Sequence, residues 1–210
     1  MRNDAPTRTN LLALREELSL ARLGRELLDQ KRKILANELL ALVDQGAELE
    51  RKADESLAKA WRLLEDAALS DGVLEVSILA GAVNADAGIE LGRRSVMGVP
   101  LPVVRTSFTE RGPYYSPLDA SYRVDAAAAA FREVLSMMGR LAELRVSILR
   151  LAAEVRRTAR KANALEKIAV PELETAVRRI ADRLEENERD SLALMKTVKA
   201  RLEAAAAGEA

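Results

Sequence analysis

Apolar residues recur every seven positions along the first third of the chain. One stripe consists of Leu14, Ala21, Leu28, Leu35, Leu42 and Leu49. The companion stripe consists of Leu11, Leu18, Arg25, Arg32, Leu39, Gly46 and Ala53 and is apolar except for its arginines. Two stripes that together average one apolar residue every 3.5 positions are typical of a helix in a left-handed supercoil with a partner helix. We therefore predict a long coiled-coil helix here.

A second pair of stripes begins after the middle of the chain. It combines Val134, Leu141, Ile148, Val155, Ala162 and Ala169 with Met137, Leu144, Leu151, Thr158 and Leu165. This pattern predicts a second coiled-coil helix. Pro171 removes one helical hydrogen bond and clashes with the preceding turn, so we expect a kink near Ala169. Helical spacing then resumes in a shifted register with Leu173, Val177, Ile180 and Leu184.

The segment between the two helices has a different composition. Pro100 and Pro102 lie in a stretch rich in glycine, valine, serine and threonine. The β-branched run 99–108 predicts an edge strand or hairpin arm, because proline cannot donate a hydrogen bond inside a sheet. Arg111, Gly112 and Pro113 predict a turn. We predict a short helix at about 74–85, followed by a small β-hairpin.

Together these patterns predict an all-α fold. It is a long antiparallel two-helix left-handed coiled coil with a small central knob containing a short helix and a β-hairpin. The predicted segments are an N-terminal tail 1–8, an N-terminal coiled-coil helix 9–70, the knob 71–117, a C-terminal coiled-coil helix 118–205 and a tail 206–210.

The charge distribution favours the antiparallel arrangement. Residues 44–75 contain nine acidic and four basic side chains, whereas residues 140–170 contain eight basic and three acidic ones. These segments lie side by side if facing residue numbers sum to about 210, and many weak ion pairs then favour this orientation over a parallel dimer. Chance unevenness in a highly charged chain is the alternative explanation. The pairing predicts a basic cluster, Arg156, Arg157, Arg160 and Lys161, beside the acidic stretch 44–55.

Composition excludes several kinds of chemistry. The chain has no cysteine and no histidine, so disulfides, thiolate sites and imidazole catalysis are excluded. No glycine-rich phosphate-binding motif is present, and the carboxylates fall on helix faces expected to be exposed, so we expect neither a cofactor nor a metal. No apolar run approaches the roughly 20 residues of a membrane span. We expect a cytoplasmic protein that is not inserted in a membrane.

The arginines of the seam and the basic cluster are the candidate contact residues. Arg25 and Arg32 either turn to solvent through a local register shift or form a polar collar that touches an enclosing protein. The basic cluster lacks neighbouring aromatic residues that could stack on bases, and the net charge of the chain is zero. We therefore expect the cluster to contact a partner helix or an acidic protein, and no nucleic acid.

Short motifs near both ends resemble those of the D subunits of V/A-type ATPases. Residues 6–12, followed by 27–32, resemble that family's opening, in which P-T-R-x-x-L and a later L-L-x-x-K-R are typical. Residues 160–171 are similar to the family signature R-R-V-N-A-L-E-x-x-x-x-P. The tail from Glu188 to Lys199 resembles E-R-E-x-x-x-x-x-K-x-x-K. The resemblance covers nearly the whole chain.

The resemblance implies a non-catalytic central-stalk subunit, the rotor shaft of a V/A-type ATPase. Its two ends would penetrate the catalytic hexamer of A and B subunits, and the knob end would meet an F subunit and a C/d-type subunit on the membrane ring. Such a shaft couples ATP synthesis or hydrolysis to proton or sodium transport, peripheral to the membrane. Partner-contact candidates are Arg8, Arg25, Arg32, Arg156, Arg157, Arg160, Lys161, Glu188, Arg189 and Lys196. The alternative is a free-standing coiled-coil adaptor that forms a homo-oligomer.

Overall fold

The computed structural model describes residues 5–83, 86–109, 115–116 and 121–208. The elements in chain order are α1 (Arg8–Asp71), α2 (Val73–Ala82), β1 (Asp86–Val96), β2 (Val99–Thr109), α3 (Tyr122–Ala164), a π-helical turn (Leu165–Ala169) and α4 (Val170–Gly208). They form two compact units. The first unit comprises Met1–Lys31 with Arg157–Ala210, and the second comprises Arg32–Arg156. The predicted fold, long paired helices with a small antiparallel β-hairpin, is confirmed.

The second unit is built on the predicted seam between α1 and α3. Leu35 and Leu42 of α1 are buried with Leu144 and Leu151 of α3 in one hydrophobic cluster. These four leucines all belong to the seven-residue stripes, so the apolar periodicity identified the buried face of both helices. The helices are antiparallel: Gly46 lies near Ile148, Trp61 contacts Phe131, and Ala67 packs in one cluster with Val124.

Alanine replaces leucine farther along the same seam. Ala60 and Ala67 of α1 are buried, as are Ala127 and Ala130 of α3. The rings of Trp61 and Phe131 meet edge to face here, with centroids 5.7 Å apart. The short helix α2 closes this end of the unit, and its Val76 and Leu79 pack against Ala67 and Val124. Gly72 joins α1 to α2 with φ of 91°, a conformation that glycine adopts without steric cost.

The β-hairpin turns at Met97 and Gly98. Both residues have positive φ, 48° and 82°, as in the two-residue turns whose twist matches that of the flanking strands. Val96 pairs with Val99 beside the turn, and the register continues to Asp86 opposite Thr109. The sequence pattern did not indicate this turn, because methionine rarely takes positive φ. The turn predicted at 111–113 lies outside the described residues.

The outer edge of β2 faces α3. Because the pair beside a two-residue turn is hydrogen-bonded, Pro100, Pro102 and Val104 occupy the non-hydrogen-bonded positions, whose backbone groups point away from β1. An N–H at either proline position would not have bonded to β1, so proline costs the sheet no hydrogen bond there. This agrees with the predicted edge strand.

Side chains of α3 bind the backbone groups that remain on this edge. Glu143 accepts the N–H of Val104 at 2.9 Å, and Arg150 donates to the carbonyl of Pro100 at 2.9 Å. Gly139 lets the two elements approach closely, since a Cβ there would collide with the side chain of Thr106. The hairpin therefore packs along the helix pair, and its Val99 and Leu101 join the leucine cluster.

The first unit pairs the start of α1 with the π turn and α4. Leu14, Leu173 and Ile180 are buried at its centre. The apolar stripe along α3 and α4 shifts here by one residue. A step of seven from Leu165 would reach position 172, but the next buried residue is Leu173. A π turn is an α-helix with one extra residue, so it absorbs this shift. Near Ala169, where a kink was expected, the structure has this π turn.

The predicted pairing, in which facing residue numbers sum to about 210, is wrong. In the second unit a Cβ on Gly46 would lie 3.3 Å from Ile148 Cδ1, so the acidic stretch 44–55 faces residues earlier than the basic cluster. In the first unit Arg8 pairs with Glu188, while α4 continues to Gly208. We call the part of α4 after Glu188 the overhang. Because of it, the residue numbers that face each other sum to less than 210.

Candidate partner-contact surfaces

Ion pairs join the two sides of the first unit. Arg8 donates to Glu188 at 2.6 Å, and this hydrogen bond raises the pKa of the Arg8 guanidinium. Arg22 binds Glu174 at 2.6 Å. The structure thus brings together Arg8 and Glu188, two predicted contact residues from opposite ends of the sequence. Both side chains remain largely exposed, so the pair fixes orientation more than it adds stability.

Arg25 and Arg32 differ in their surroundings. Arg25 lies 3.7 Å from Glu166 in the first unit, with 45% of its side chain exposed. Its charge therefore reaches across to a carboxylate on the facing side of the same unit. Arg32 belongs to the second unit and is half-buried. Sequence periodicity placed both arginines on the seam but could not reveal these neighbours.

The remaining predicted contact residues lie on α3 and α4. Arg156, Arg157, Arg160 and Lys161 are all exposed on α3. Arg189 pairs with Glu185 of its own helix, and Lys196 is exposed. The expectation that the basic cluster lies beside the acidic stretch 44–55 is wrong, because the helix register places residues near Ile148 there. Exposed basic side chains on one helix are suited to an acidic surface of another protein.

An exposed apolar stripe on α1 was not among the predicted contact surfaces. Leu20, Leu23 and Leu27 lie outside the seam positions at spacings of three and four residues, and each is more than half exposed. The overhanging end of α4 is similar, with Leu192, Leu194, Met195 and Val198 exposed. The sequence could have indicated this surface, because these apolar residues do not belong to the seven-residue stripes. Contiguous exposed apolar side chains mark surfaces that bind other proteins.

A second exposed apolar patch lies at the α2 end of the second unit. It comprises Leu69, Val73, Leu74, Ile78 and Tyr122, which are between 61% and 87% exposed. Asp66 and Arg123 lie beside Leu69 and Tyr122 around a shallow groove. We call the five apolar residues, without Asp66 and Arg123, the α2 patch. An apolar centre with charged neighbours is the usual anatomy of a protein–protein contact.

The described part of the chain lacks two other kinds of site. None of its helices combines the length and apolar character that crossing a bilayer requires. Among the same residues, no group of three or more acidic side chains is arranged to hold a metal ion.

Comparison with known proteins shows the family of this chain. The family model for the D subunit of ATP synthase matches residues 10–200. The A-type ATP synthase D subunit of Thermococcus sibiricus is 36% identical over 206 residues, covering 97% of this chain and 96% of that protein. The corresponding protein of Thermococcus gammatolerans is 38% identical over 207 residues, covering 96% of each. The V-type ATP synthase D subunit of Thermotoga neapolitana is 33% identical over 195 residues, covering 93% of this chain and 96% of that protein.

Proposed function

Because the chain belongs to the family of ATP synthase D subunits, we propose that it is the non-catalytic rotor shaft of a V/A-type rotary ATPase. It transmits torque between the catalytic hexamer and the membrane ring, and so couples ATP synthesis or hydrolysis to proton or sodium transport. The observation that carries the proposal is the pairing of two long helices whose exposed apolar surfaces remain available to other subunits. In this proposal α1 with α3 and α4 forms the shaft, and α2 with the β-hairpin forms the knob.

The first unit contacts the hexamer of A and B subunits. The exposed leucines of α1 and the apolar overhang of α4 supply surface that a surrounding protein can cover without breaking the seam. Arg8, Glu188, Arg189 and Lys196 add charged groups along the same two helices. An apolar contact resists separation, while the charges select an orientation.

The basic cluster on α3 contacts acidic groups of that hexamer. Its four side chains are exposed, and the register of α1 leaves them away from the acidic stretch of their own chain. Arg25 and Arg32 contribute a weaker contact, because Arg25 already lies near Glu166 of its own chain and Arg32 is half-buried. We expect these contacts to weaken as salt concentration rises.

The second unit contacts the F subunit and the C/d-type subunit on the membrane ring. The α2 patch supports this assignment, since five large apolar side chains at a helix end are costly to leave in water. The protein itself stays at the cytoplasmic side, peripheral to the membrane, and is held there by its partners.

Torque transmission requires asymmetry rather than a catalytic residue. Two unlike helices present different side chains at each angle, so a surrounding hexamer meets a different face at each of its three catalytic interfaces. A contact that binds one conformation of an interface better than another shifts that interface toward the favoured conformation. Rotation of the shaft then changes which interface is favoured.

Reconstitution of the catalytic hexamer with and without this chain tests the proposal. We expect one copy of the chain per hexamer and a change in ATP turnover. Replacing Arg160 and Lys161 with glutamine removes both charges. This should lower the ATP turnover of the reconstituted complex about threefold or more at low salt. The matched control replaces exposed Lys59 and Arg62 with glutamine and should change nothing. No binding to the hexamer, together with a stable homodimer, would instead support the adaptor alternative.

A further inference from the structure

Three features that loosen a helix occur together in the first unit. The π turn Leu165–Ala169 has no buried residue, and the N–H of Val170 binds the carbonyl of Leu165 across it. The next bond of this type would run from residue 171 to the carbonyl of Glu166, but proline has no N–H. Thr175 donates its hydroxyl to the carbonyl of Pro171 at 2.8 Å, an interaction that often bends helices.

The facing helix adds little resistance at this level. Gly24 lies opposite Leu165, and a Cβ there would approach Leu165 Cδ1 no closer than 3.8 Å. An alanine would therefore fit, yet the residue is glycine, which has a lower helix propensity and leaves the backbone of α1 freer. Arg25 pairs with Glu166 within the turn and Arg22 with Glu174 just after it, in both cases through long, flexible side chains.

We propose that the π turn with Pro171 is a hinge, at which α4 bends relative to the last turns of α3. The extra residue shifts the seam by one position, so the apolar contacts on both sides are preserved while hydrogen bonding between them is weakened. The overhang of α4 then changes direction together with α1, which carries Gly24 at the same level, so that Leu173 and Ile180 stay packed against Leu14. This property belongs to the chain itself and does not depend on the proposed partners.

Spin labels on the full-length chain measure the bending directly. The sequence has no cysteine, so Lys161→Cys with Arg178→Cys places labels at two exposed positions across the turn. Glu48→Cys with Glu65→Cys is the matched control, because both positions are exposed, have the same sequence separation within α1 and enclose no glycine. We expect a broader distance distribution across the turn than in the control. Equal widths would overturn the proposal.

Removing the extra residue should remove the hinge. The variant lacks Ile168, an exposed residue of the turn, and carries Pro171→Ala so that a regular α-helix can form. The interval from Leu165 to Leu173 then shortens from eight residues to seven, as in a regular heptad. We expect the variant to fold normally and its distance distribution to be as narrow as that of the control pair. Backbone amides just after the turn should exchange about fivefold to tenfold more slowly than before.

A deletion elsewhere separates bending from folding. Deleting exposed Arg178 shifts Ile180 off the seam, so we expect this variant to unfold at lower temperature. If the variant without Ile168 is destabilised as much as the Arg178 deletion, the π turn is required for folding, and the hinge proposal is wrong. If that variant folds but keeps the broad distribution, the proposal is equally wrong.

Discussion

The leucine and alanine parts of the seam in the second unit solve the same packing problem differently. Leu35 and Leu151 are fully buried and pack beside the hairpin residue Leu101. Ala60 and Ala67 are also fully buried, but each removes far less apolar area from water. The alanine part therefore depends more on added contacts such as that of Trp61 with Phe131. Equal burial does not imply equal stabilisation.

The largest expected effect is a truncation in the leucine part. Leu151→Ala should lower the free energy of unfolding by about 2–5 kcal/mol, because it leaves a cavity where Leu35 and Leu101 now pack. Ala60→Gly, at an equally buried position, should cost only about 1 kcal/mol. Urea unfolding followed by circular dichroism measures both. Equal losses would show that the two parts contribute similarly.

The alanine part should respond more strongly to an added side chain. Ala60→Leu forces a larger residue into the close helix contact and should cost about 1–3 kcal/mol. Ala58→Leu, at an exposed position of the same helix, is the matched control and should be nearly neutral. Thermal unfolding of both variants gives the comparison. A neutral Ala60→Leu would mean that the helices separate there without loss.

The contact between hairpin and helix is the next effect in size. Glu143→Leu leaves the N–H of Val104 without its acceptor and should cost about 1–3 kcal/mol. Glu143→Gln keeps an acceptor oxygen and should cost less. Hydrogen exchange at the Val104 amide reports the contact directly. Ser147→Ala is a control in the same helix face, expected to be neutral or stabilising because the buried Ser147 hydroxyl has no hydrogen-bond partner among the described residues.

The smallest effect is a pH dependence at the alanine end. The hydrogen bond from Tyr115 to Asp125 raises the pKa of Tyr115 to about 12, above its ordinary value of 10.0. Protonated tyrosine is thus favoured in the folded state. Its contribution is fully present below pH 10.0 and is lost as pH rises toward about 12. Tyr115→Phe should flatten stability across this window, measured by urea unfolding at several pH values. An unchanged slope would exclude this bond as the cause.

Sequence periodicity predicted the seam because burial in a coiled coil depends mainly on local spacing. The stripes containing Leu35 and Leu151 could be identified in this way, and Pro100 and Pro102 correctly indicated an edge strand. The helix register could not be predicted, because it depends on the overhang of α4 and on contacts distant in sequence. The turn at Met97 was missed since its residue type is atypical. The α2 patch required the fold, because exposure of an apolar residue depends on its neighbours.

The one-residue shift at the π turn also limits how pieces of this protein can be exchanged. In α1 a single heptad frame runs through the helix, whereas the returning helix has one frame up to Leu165 and another from Leu173. A chimera joined upstream or downstream of this interval keeps every core position aligned. A donor helix with one uninterrupted frame, spliced across it, rotates all later side chains by about 100° around the helix axis. Junctions should therefore be chosen by frame rather than by residue number.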